Sequence, residues 1–119
     1  MKLVYIAGPY RGATPNAMRE NIRRAEERAV DAVRAGHYPI VPHLCTAWMD
    51  GLAPDQHFLD GTLEAMKRCD EVWLCEGWRD SHGSKLEVAT ALASGIPVKD
   101  IDGSRVHLLT IHAERRRKK

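Results

Sequence analysis

Four short apolar runs, each stopped by glycine, proline or a polar loop, alternate along the chain with segments of helical periodicity. The runs lie at 3–7, 38–41, 72–75 and 96–98, and a fifth is predicted at 106–111. Buried strands have this length and this content of β-branched and aromatic residues. Strands that alternate with helices build a parallel sheet with helices on both faces. The sequence therefore predicts an α/β fold.

Three helices are predicted between these strands. The first begins after Thr14-Pro15, an N-cap followed by proline at the first helical position, and ends at Gly36. The second covers about 56–68 and the third covers 84–94. The third helix has apolar residues at helical spacing that we expect to face the core, namely Leu86, Ala89, Leu92 and Ala93.

The length and the charge of the chain limit the number of domains and the kind of partner. With 119 residues and 13.4 kDa, the chain has the size of one domain, predicted over 1–112 and followed by a flexible basic tail over 113–119. Residues 115–119 are all Arg or Lys, and without these five the remaining 13 basic residues face 16 acidic ones. A mildly acidic body argues against a nucleic acid polymer as the partner.

The cysteines and the apolar runs bear on the cellular compartment. Cys45, Cys69 and Cys75 are odd in number and form no CxxC pair, which argues against a disulfide framework and a structural zinc site. Cys69 and Cys75 flank or lie in an apolar run, so we expect them to be buried. No run reaches membrane length, and the N-terminal run is too short for a signal peptide. The sequence predicts a cytoplasmic protein with no membrane and no metal.

The loops that follow the carboxyl ends of the strands are where a parallel sheet binds its ligand. These loops are 8–16, 42–56 and 76–84. In the first, Gly8-Pro9-Tyr10-Arg11-Gly12 lets a ligand approach the backbone and favours an anion, or forms only a tight turn. It matches neither a dinucleotide-binding fingerprint nor a Walker motif. The second loop contains His43, which is either a structural hydrogen-bonding group or part of a site.

The third loop opens a helix with the sequence Ser81-His82-Gly83-Ser84-Lys85-Leu86-Glu87. Ser81, the N–H of Gly83 and the helix N-terminus together can hold an anion. Ser84-x-x-Glu87 is alternatively a capping box, and the two interpretations are compatible. A second carboxylate for a glycosyl-transfer site would come from Asp50, Asp55, Asp60 or Glu64.

Three segments in this order resemble the nucleoside 2-deoxyribosyltransferase superfamily, over residues 3–98. They are Tyr5-Ile6-Ala7-Gly8-Pro9-Tyr10-Arg11-Gly12, Cys69-Asp70-Glu71-Val72-Trp73-Leu74, and Ser81-x-Gly83-x-x-x-Glu87 with Ala91 and Gly95-Ile96-Pro97-Val98. The resemblance implies a Rossmann-like three-layer sandwich with a mostly parallel five-stranded sheet in the order 2-1-3-4-5. It also implies cleavage or exchange of the N-glycosidic bond of a deoxynucleoside or its 5′-monophosphate, without a cofactor.

The same resemblance implies roles for individual residues. Glu87 would be the nucleophile that attacks the anomeric carbon and forms a glycosyl-enzyme ester. Tyr5 matches a tyrosine that lies beside this nucleophile. The implied substrate-binding and phosphate-binding residues are Gly8, Tyr10, Arg11, Gly12, His43, Ser81 and Gly83.

Position 81 distinguishes two branches of the superfamily. Transferases of free nucleosides usually carry Asp where this chain has Ser81, and an aspartate there would repel a phosphate. Ser81 beside Gly83 accepts a phosphate instead. The predicted function is therefore hydrolysis of a (deoxy)nucleoside 5′-monophosphate to free base and sugar 5-phosphate. The alternatives are a 2-deoxyribosyltransferase and a non-catalytic nucleotide-binding or sensor domain.

One position departs from the superfamily pattern. Relatives often carry Asp at the position of Thr62, where it handles the leaving base. Asp60 is the nearest carboxylate and is a catalytic candidate. Two residues along a helix amount to about 200° around its axis, so Asp60 is not a simple replacement. Thr62 is the feature that favours a sensor domain.

Aromatic residues near the predicted site suggest a homodimer. Members of the superfamily are oligomers whose partner subunit often closes the active site. Trp48, Phe58 and Trp78 are of the kind enriched in interface cores, or they pack in the core or stack on a base. The predicted dimer is two-fold and buries the helix of residues 56–68, the loop before it, or both.

Overall fold

The computed structural model of the protein describes residues 1–107, in which strands and helices alternate. In chain order the elements are β1 (Leu3–Ala7), α1 (Pro15–Arg34), β2 (Tyr38–Ile40), α2 (Pro42–Cys45), α3 (Asp55–Lys67), β3 (Glu71–Leu74), a 3-10 turn (Trp78–Asp80), α4 (His82–Ala93) and β4 (Val98–Lys99).

The strands form one parallel sheet in the order β2-β1-β3-β4, with α1 on one face and α3 and α4 on the other. Central β1 is fully buried from Val4 to Ala7. Because side chains alternate along a strand, Val4 and Ile6 pack on the α1 side, whereas Tyr5 and Ala7 pack on the side of α3 and α4. This alternation places the polar end of Tyr5 in the layer that contains α4.

The predicted α/β sandwich and the order of its first four strands are confirmed. The proposed fifth strand is not established. Within the described residues Arg105 makes one antiparallel bridge to Lys99, and residues 108–111 lie outside them. The predicted basic tail, 113–119, also lies outside the described residues.

The first helix begins as predicted. Pro15 is its first residue, and the hydroxyl of Thr14 accepts a hydrogen bond from the N–H of Ala17 at 3.0 Å. Proline at this position costs no backbone hydrogen bond, because the first N–H groups of a helix have no partner within it.

Helix α4 begins two residues earlier than predicted and turns a different face inward. Ser81 is its N-cap, and the Ser81 hydroxyl accepts from the N–H of Ser84 at 3.2 Å. The predicted capping box at Ser84 is therefore wrong, because Ser84 lies inside the helix. The predicted inward face is only partly right, since Leu92 packs against the core but Leu86, Ala89 and Ala93 are exposed. The residues that are buried are Ser84, Glu87, Val88 and Ala91.

The predicted burial of Cys69 and Cys75 is confirmed. All three cysteines are free, and Cys45 is exposed. Within residues 1–107, no helix combines the length and the apolar character needed to cross a bilayer.

Close packing where β1 ends requires a glycine at position 8. A Cβ added at Gly8 would lie 2.5 Å from the Cβ of Cys75, closer than side chains pack. We expect Gly8→Ala to lower the free energy of unfolding by about 1–3 kcal/mol, because the neighbouring strand end must shift. The matched control is Gly61→Ala in α3, where a Cβ meets nothing within 4 Å. Denaturant unfolding should show a gain of about 0.5–1 kcal/mol for this control. Equal effects of the two substitutions would contradict the packing argument.

Candidate active site

A cavity of about 610 Å³ opens at the carboxyl edge of the sheet, where all three predicted ligand loops meet. This is a normal size for a small-molecule site. The residues that line it are Tyr5, Gly8, Pro9, Tyr10, Arg11, Pro42, His43, Thr46, Asp50, Asp55, Phe58, Leu59, Thr62, Gly77, Asp80, Ser81, His82, Gly83, Ser84 and Glu87.

A buried hydrogen bond joins the strand and the helix at the wall of this cavity. The Tyr5 hydroxyl, on the α4 side of β1, donates to Oε2 of Glu87. Tyr5 is fully buried and Glu87 is 9% exposed. Glu87 shares its face of α4 with Val88 and Ala91, which pack in the core. The sheet and the helix core thus fix the Glu87 carboxyl at one end of the cavity.

Burial changes the acid–base properties of this pair. It raises the pKa of Glu87 from 4.5 to about 7, because an ionised carboxylate loses its hydration, and the hydrogen bond from Tyr5 partly opposes that rise. Burial also raises the pKa of Tyr5, and the neighbouring Glu87 charge raises it further. Tyr5 therefore stays protonated and remains a hydrogen-bond donor to Glu87. A carboxyl that ionises near neutral pH in a cavity is typical of catalytic sites.

The amino end of α4 forms a second part of the cavity wall. The cap from Ser81 satisfies the N–H of Ser84, and the N–H of Lys85 donates to the Ser81 carbonyl at 3.0 Å. The N–H groups of His82 and Gly83 precede these and have no carbonyl within α4 to bond. Gly83 has nothing within 4 Å of an added Cβ, so its backbone is open to the cavity. Free N–H groups and the helix dipole suit an anion at this end.

Arg11 lies at the mouth of the cavity, in the loop after β1. Its guanidinium is 3.5 Å from the Asp55 carboxylate at the start of α3, and both side chains are largely exposed. Gly12 does not line the cavity. A Cβ on it would lie 2.6 Å from the Cβ of Ala17, so Gly12 allows the loop to pack on the first turn of α1.

His43 lies in the short helix α2 and is 6% exposed. Its Nε2 is 2.9 Å from the Pro9 carbonyl, and the Tyr10 ring packs edge-on against it at 5.6 Å between centroids. Burial lowers the pKa of His43, because the charged imidazolium loses its hydration. A neutral ring beside a carbonyl must place its proton on Nε2, since a carbonyl only accepts.

The two candidate positions on α3 have different surroundings. Thr62 lines the cavity, and its hydroxyl donates to the Leu59 carbonyl at 2.9 Å. Asp60 is exposed and accepts a hydrogen bond from the Gln56 amide at 2.8 Å. The structure therefore does not bring Asp60 to the cavity, as its angular offset on the helix predicts.

A family profile described as a domain of unknown function, DUF7768, matches residues 2–101. The chain belongs to the DUF7768 family. A search of curated proteins finds no match.

Three solved structures resemble this DUF7768 domain. A 2-deoxyribosyltransferase from Bacillus psychrosaccharolyticus is 19% identical, with a TM-score of 0.60 over 91% of this chain and 79% of that one. A conserved protein from Enterococcus faecalis V583 is 22% identical, with a TM-score of 0.64 over 84% of this chain and 62% of that one. The CMP N-glycosidase BcmB of Clostridium botulinum is 21% identical, with a TM-score of 0.55 over 83% and 70%. The predicted resemblance is confirmed at the level of fold.

The three aromatic residues considered for an interface have different surroundings in the DUF7768 domain. Trp78 is 3% exposed, packs in the core, and donates from Nε1 to Asp100 at 3.2 Å. Phe58 is half-buried and lines the cavity. Trp48, in the loop between α2 and α3, is 98% exposed. Only Trp48 and Phe58 therefore remain available to a partner or a ligand among these three.

Within the described residues, no group of three or more His, Cys, Asp or Glu side chains is arranged to hold a metal ion.

Proposed function

We propose that this DUF7768 domain hydrolyses the N-glycosidic bond of a (deoxy)nucleoside 5′-monophosphate, with Glu87 as the nucleophile. The observation that carries the proposal is the buried Glu87 carboxyl, held by the Tyr5 hydroxyl at the wall of a cavity of about 610 Å³. A fixed carboxylate beside a sugar-sized space suits attack on an anomeric carbon. The fold shared with a 2-deoxyribosyltransferase and a CMP N-glycosidase supports it.

The reaction proceeds in two displacements. Glu87 attacks the anomeric carbon, a C–O ester bond forms, and the C–N bond breaks with its electron pair leaving on the base. Water then attacks the same carbon, loses a proton, and releases the sugar 5-phosphate with Glu87 regenerated. Because configuration inverts at each displacement, the overall outcome is retention. The Tyr5 hydroxyl orients the carboxyl and binds it in its ionised form.

The order of groups along α4 matches the order of groups in a nucleotide. The free N–H groups and Ser81 lie at the amino end, and Glu87 lies six residues further on, about 9 Å along the helix axis. A phosphate at the amino end, near Arg11, leaves the pentose between it and the nucleophile. The base then lies towards α3, where Phe58 and Leu59 offer apolar surface.

Thr62 has no acidic proton to give to the departing base. The departing base therefore takes its proton from solvent, to which the cavity is open. The absence of a carboxyl at Thr62 is also what favours the alternative, a non-catalytic sensor domain. Such a domain would bind the same nucleotide without cleaving it.

The charge of the cavity favours one alternative, a transferase that acts on free nucleosides. Asp50, Asp55 and Asp80 line the cavity with Glu87, whereas Arg11 is the only lysine or arginine of the described residues to do so. Arg11 is moreover paired with Asp55. A dianionic phosphate is repelled by such carboxylates more than a neutral nucleoside is.

A panel of nucleoside monophosphates and nucleosides, with chromatography of the free base, tests the proposal and its alternatives. Release of base and sugar 5-phosphate supports the hydrolase. Exchange of labelled adenine into a nucleoside without net hydrolysis identifies the transferase. Tight nucleotide binding without base release identifies the sensor domain.

We also propose that the protein is a homodimer that buries α3, the loop before it, or both. Trp48, Leu52, Leu44 and Met49 lie in or next to this loop, and each is at least 42% exposed. Light scattering at micromolar concentration should give twice the chain mass, and Trp48→Ser should shift the distribution towards monomer. A mass near 13.4 kDa for the unmodified protein would reject the dimer.

A further inference from the structure

Two buried polar atoms of the described residues have no hydrogen-bond partner, and both belong to side chains that line the cavity. They are Oγ of Ser84 and Nδ1 of His43. Ser84 is 1% exposed and His43 is 6% exposed. Buried polar groups are normally paired, and an unpaired one destabilises the fold, so such a group needs an explanation. Because both unpaired atoms belong to residues that line the same cavity, the geometry points to a ligand that supplies their missing hydrogen bonds.

Ser84 lies between the two functional ends of α4. It follows the cap residue Ser81 by three positions and precedes Glu87 by three, and residues three apart share a helix face. Its backbone N–H is occupied by the Ser81 cap, so the side-chain hydroxyl is the group left over. A serine side chain turns about a single torsion, so its hydroxyl adapts to an incoming group.

The unpaired atom of His43 can only accept a hydrogen bond. Its Nε2–H donates to the Pro9 carbonyl at 2.9 Å, which leaves Nδ1 with a lone pair. Burial lowers the pKa of the ring and so keeps this neutral form. The ligand group that bonds to Nδ1 of His43 must therefore be a hydrogen-bond donor. A phosphate dianion and a carboxylate only accept hydrogen bonds, so neither can be this group.

We propose that Ser84 and His43 form a hydroxyl-binding subsite for the pentose of the substrate. A sugar hydroxyl donates to Nδ1 of His43, and the Ser84 hydroxyl bonds to the sugar between the phosphate end and Glu87. Alcohol groups both donate and accept, so they satisfy both residues. This inference rests on the proposed function, because it places the pentose in this cavity.

Ser84→Ala separates the ligand role from a structural role. If Ser84 serves the ligand, the free protein loses nothing when the hydroxyl is removed, and its melting temperature stays equal or rises. A hydroxyl that held the fold together would lower it. Ser94→Ala is the matched control, because Ser94 is exposed at the end of the same helix.

The functional readout is a ratio of kcat/KM values for a 2′-deoxynucleoside monophosphate and its 2′,3′-dideoxy analogue. The intrinsic reactivity of each substrate cancels when the ratio for a variant is divided by the ratio for the unmodified protein. We expect Ser84→Ala to reduce discrimination about tenfold to a hundredfold and Ser94→Ala to leave it unchanged.

Unchanged discrimination in Ser84→Ala, or a clear fall in its melting temperature, would overturn the subsite. Failure of the proposed function has a different signature, namely no base release from any nucleotide. In that case the dissociation constants of the same two nucleotides, measured by calorimetry, still report the subsite. A hydroxyl preference that disappears in Ser84→Ala supports it, and no preference in the unmodified protein overturns it.

Discussion

Replacing Glu87 with glutamine should abolish base release and leave the fold intact. Glutamine keeps the shape of the side chain and an oxygen that accepts from Tyr5, but its amide is not a nucleophile. Loss of a nucleophile typically lowers kcat by orders of magnitude, and we expect at least about a thousandfold here. Chromatography of the free base measures it. Glu26→Gln, an exposed carboxylate on α1 on the opposite face of the sheet, is the matched control. Turnover near that of the unmodified protein would reject Glu87 as nucleophile.

The raised pKa of Glu87 means that the same substitution, which abolishes activity, should increase the stability of the fold. A carboxyl whose pKa rises from 4.5 to about 7 on folding contributes stability below pH 4.5 that is lost as the pH rises through 7. Glu87→Gln removes the cost of burying the ionised carboxylate and should be more stable by about 3 kcal/mol at pH 8. The gain should vanish towards pH 4, where the carboxyl is protonated in both states. Urea unfolding at the two pH values measures it, and an equal effect at both would contradict the shifted pKa.

Catalysis should show the reverse dependence on pH. A nucleophilic carboxylate must be ionised, so kcat/KM should rise with pH and level off above the pKa of about 7. Stability thus decreases over the same range in which activity appears. Such opposition is common where a buried group serves chemistry and not packing.

The alternation of apolar runs and helices was sufficient to predict the sheet. A run of five apolar residues stopped by Gly8-Pro9 is typical of a short buried strand, and the helices between the strands predict that the strands are parallel. The strand order is implied only by the family resemblance, and its fifth strand stays a prediction. The loops at the carboxyl edge, and with them the lining residues Tyr10, Arg11 and Ser81, follow from that topology.

Hydrophobic periodicity failed in the first turns of α4 for a physical reason. The true buried face carries Ser84 and Glu87 at its first two positions and becomes apolar only at Val88 and Ala91. A search for apolar residues rejects such a face and selects Leu86 instead. The core continues into the cavity along one helix face, so the polar residues on that face are buried and line the cavity. Ser84 was missed for this reason, although a serine three residues before a candidate nucleophile is visible in the sequence.

Tertiary packing decided the other differences. Trp78 lies close to the predicted site in the chain, yet Gly77 with a φ of 87° turns the backbone so that the indole enters the core. Asp60 lies near Thr62 in the sequence but on the outer face of α3. Proximity along the chain does not determine which face of a helix reaches a cavity.

A 5′-phosphate should be required for efficient turnover. At the amino end of α4 it would accept hydrogen bonds from Ser81, the N–H of Gly83 and Arg11, and each charge-assisted bond contributes roughly 1.5–3 kcal/mol. Removing the phosphate should therefore lower kcat/KM by about a hundredfold or more. Measuring a nucleoside beside its monophosphate gives this ratio directly.

The pair between Arg11 and Asp55 allows a sharper form of this test. Asp55 competes with the phosphate for the guanidinium, so Asp55→Asn should lower KM for a nucleotide and raise the ratio of nucleotide to nucleoside kcat/KM. Arg11→Gln should lower that ratio. Asp60→Asn is the matched control, because Asp60 lies on the same helix outside the cavity, and it should leave the ratio unchanged. Equal kcat/KM values for a nucleoside and its monophosphate, unaltered by Asp55→Asn, would remove the phosphate from this site and favour a transferase of free nucleosides.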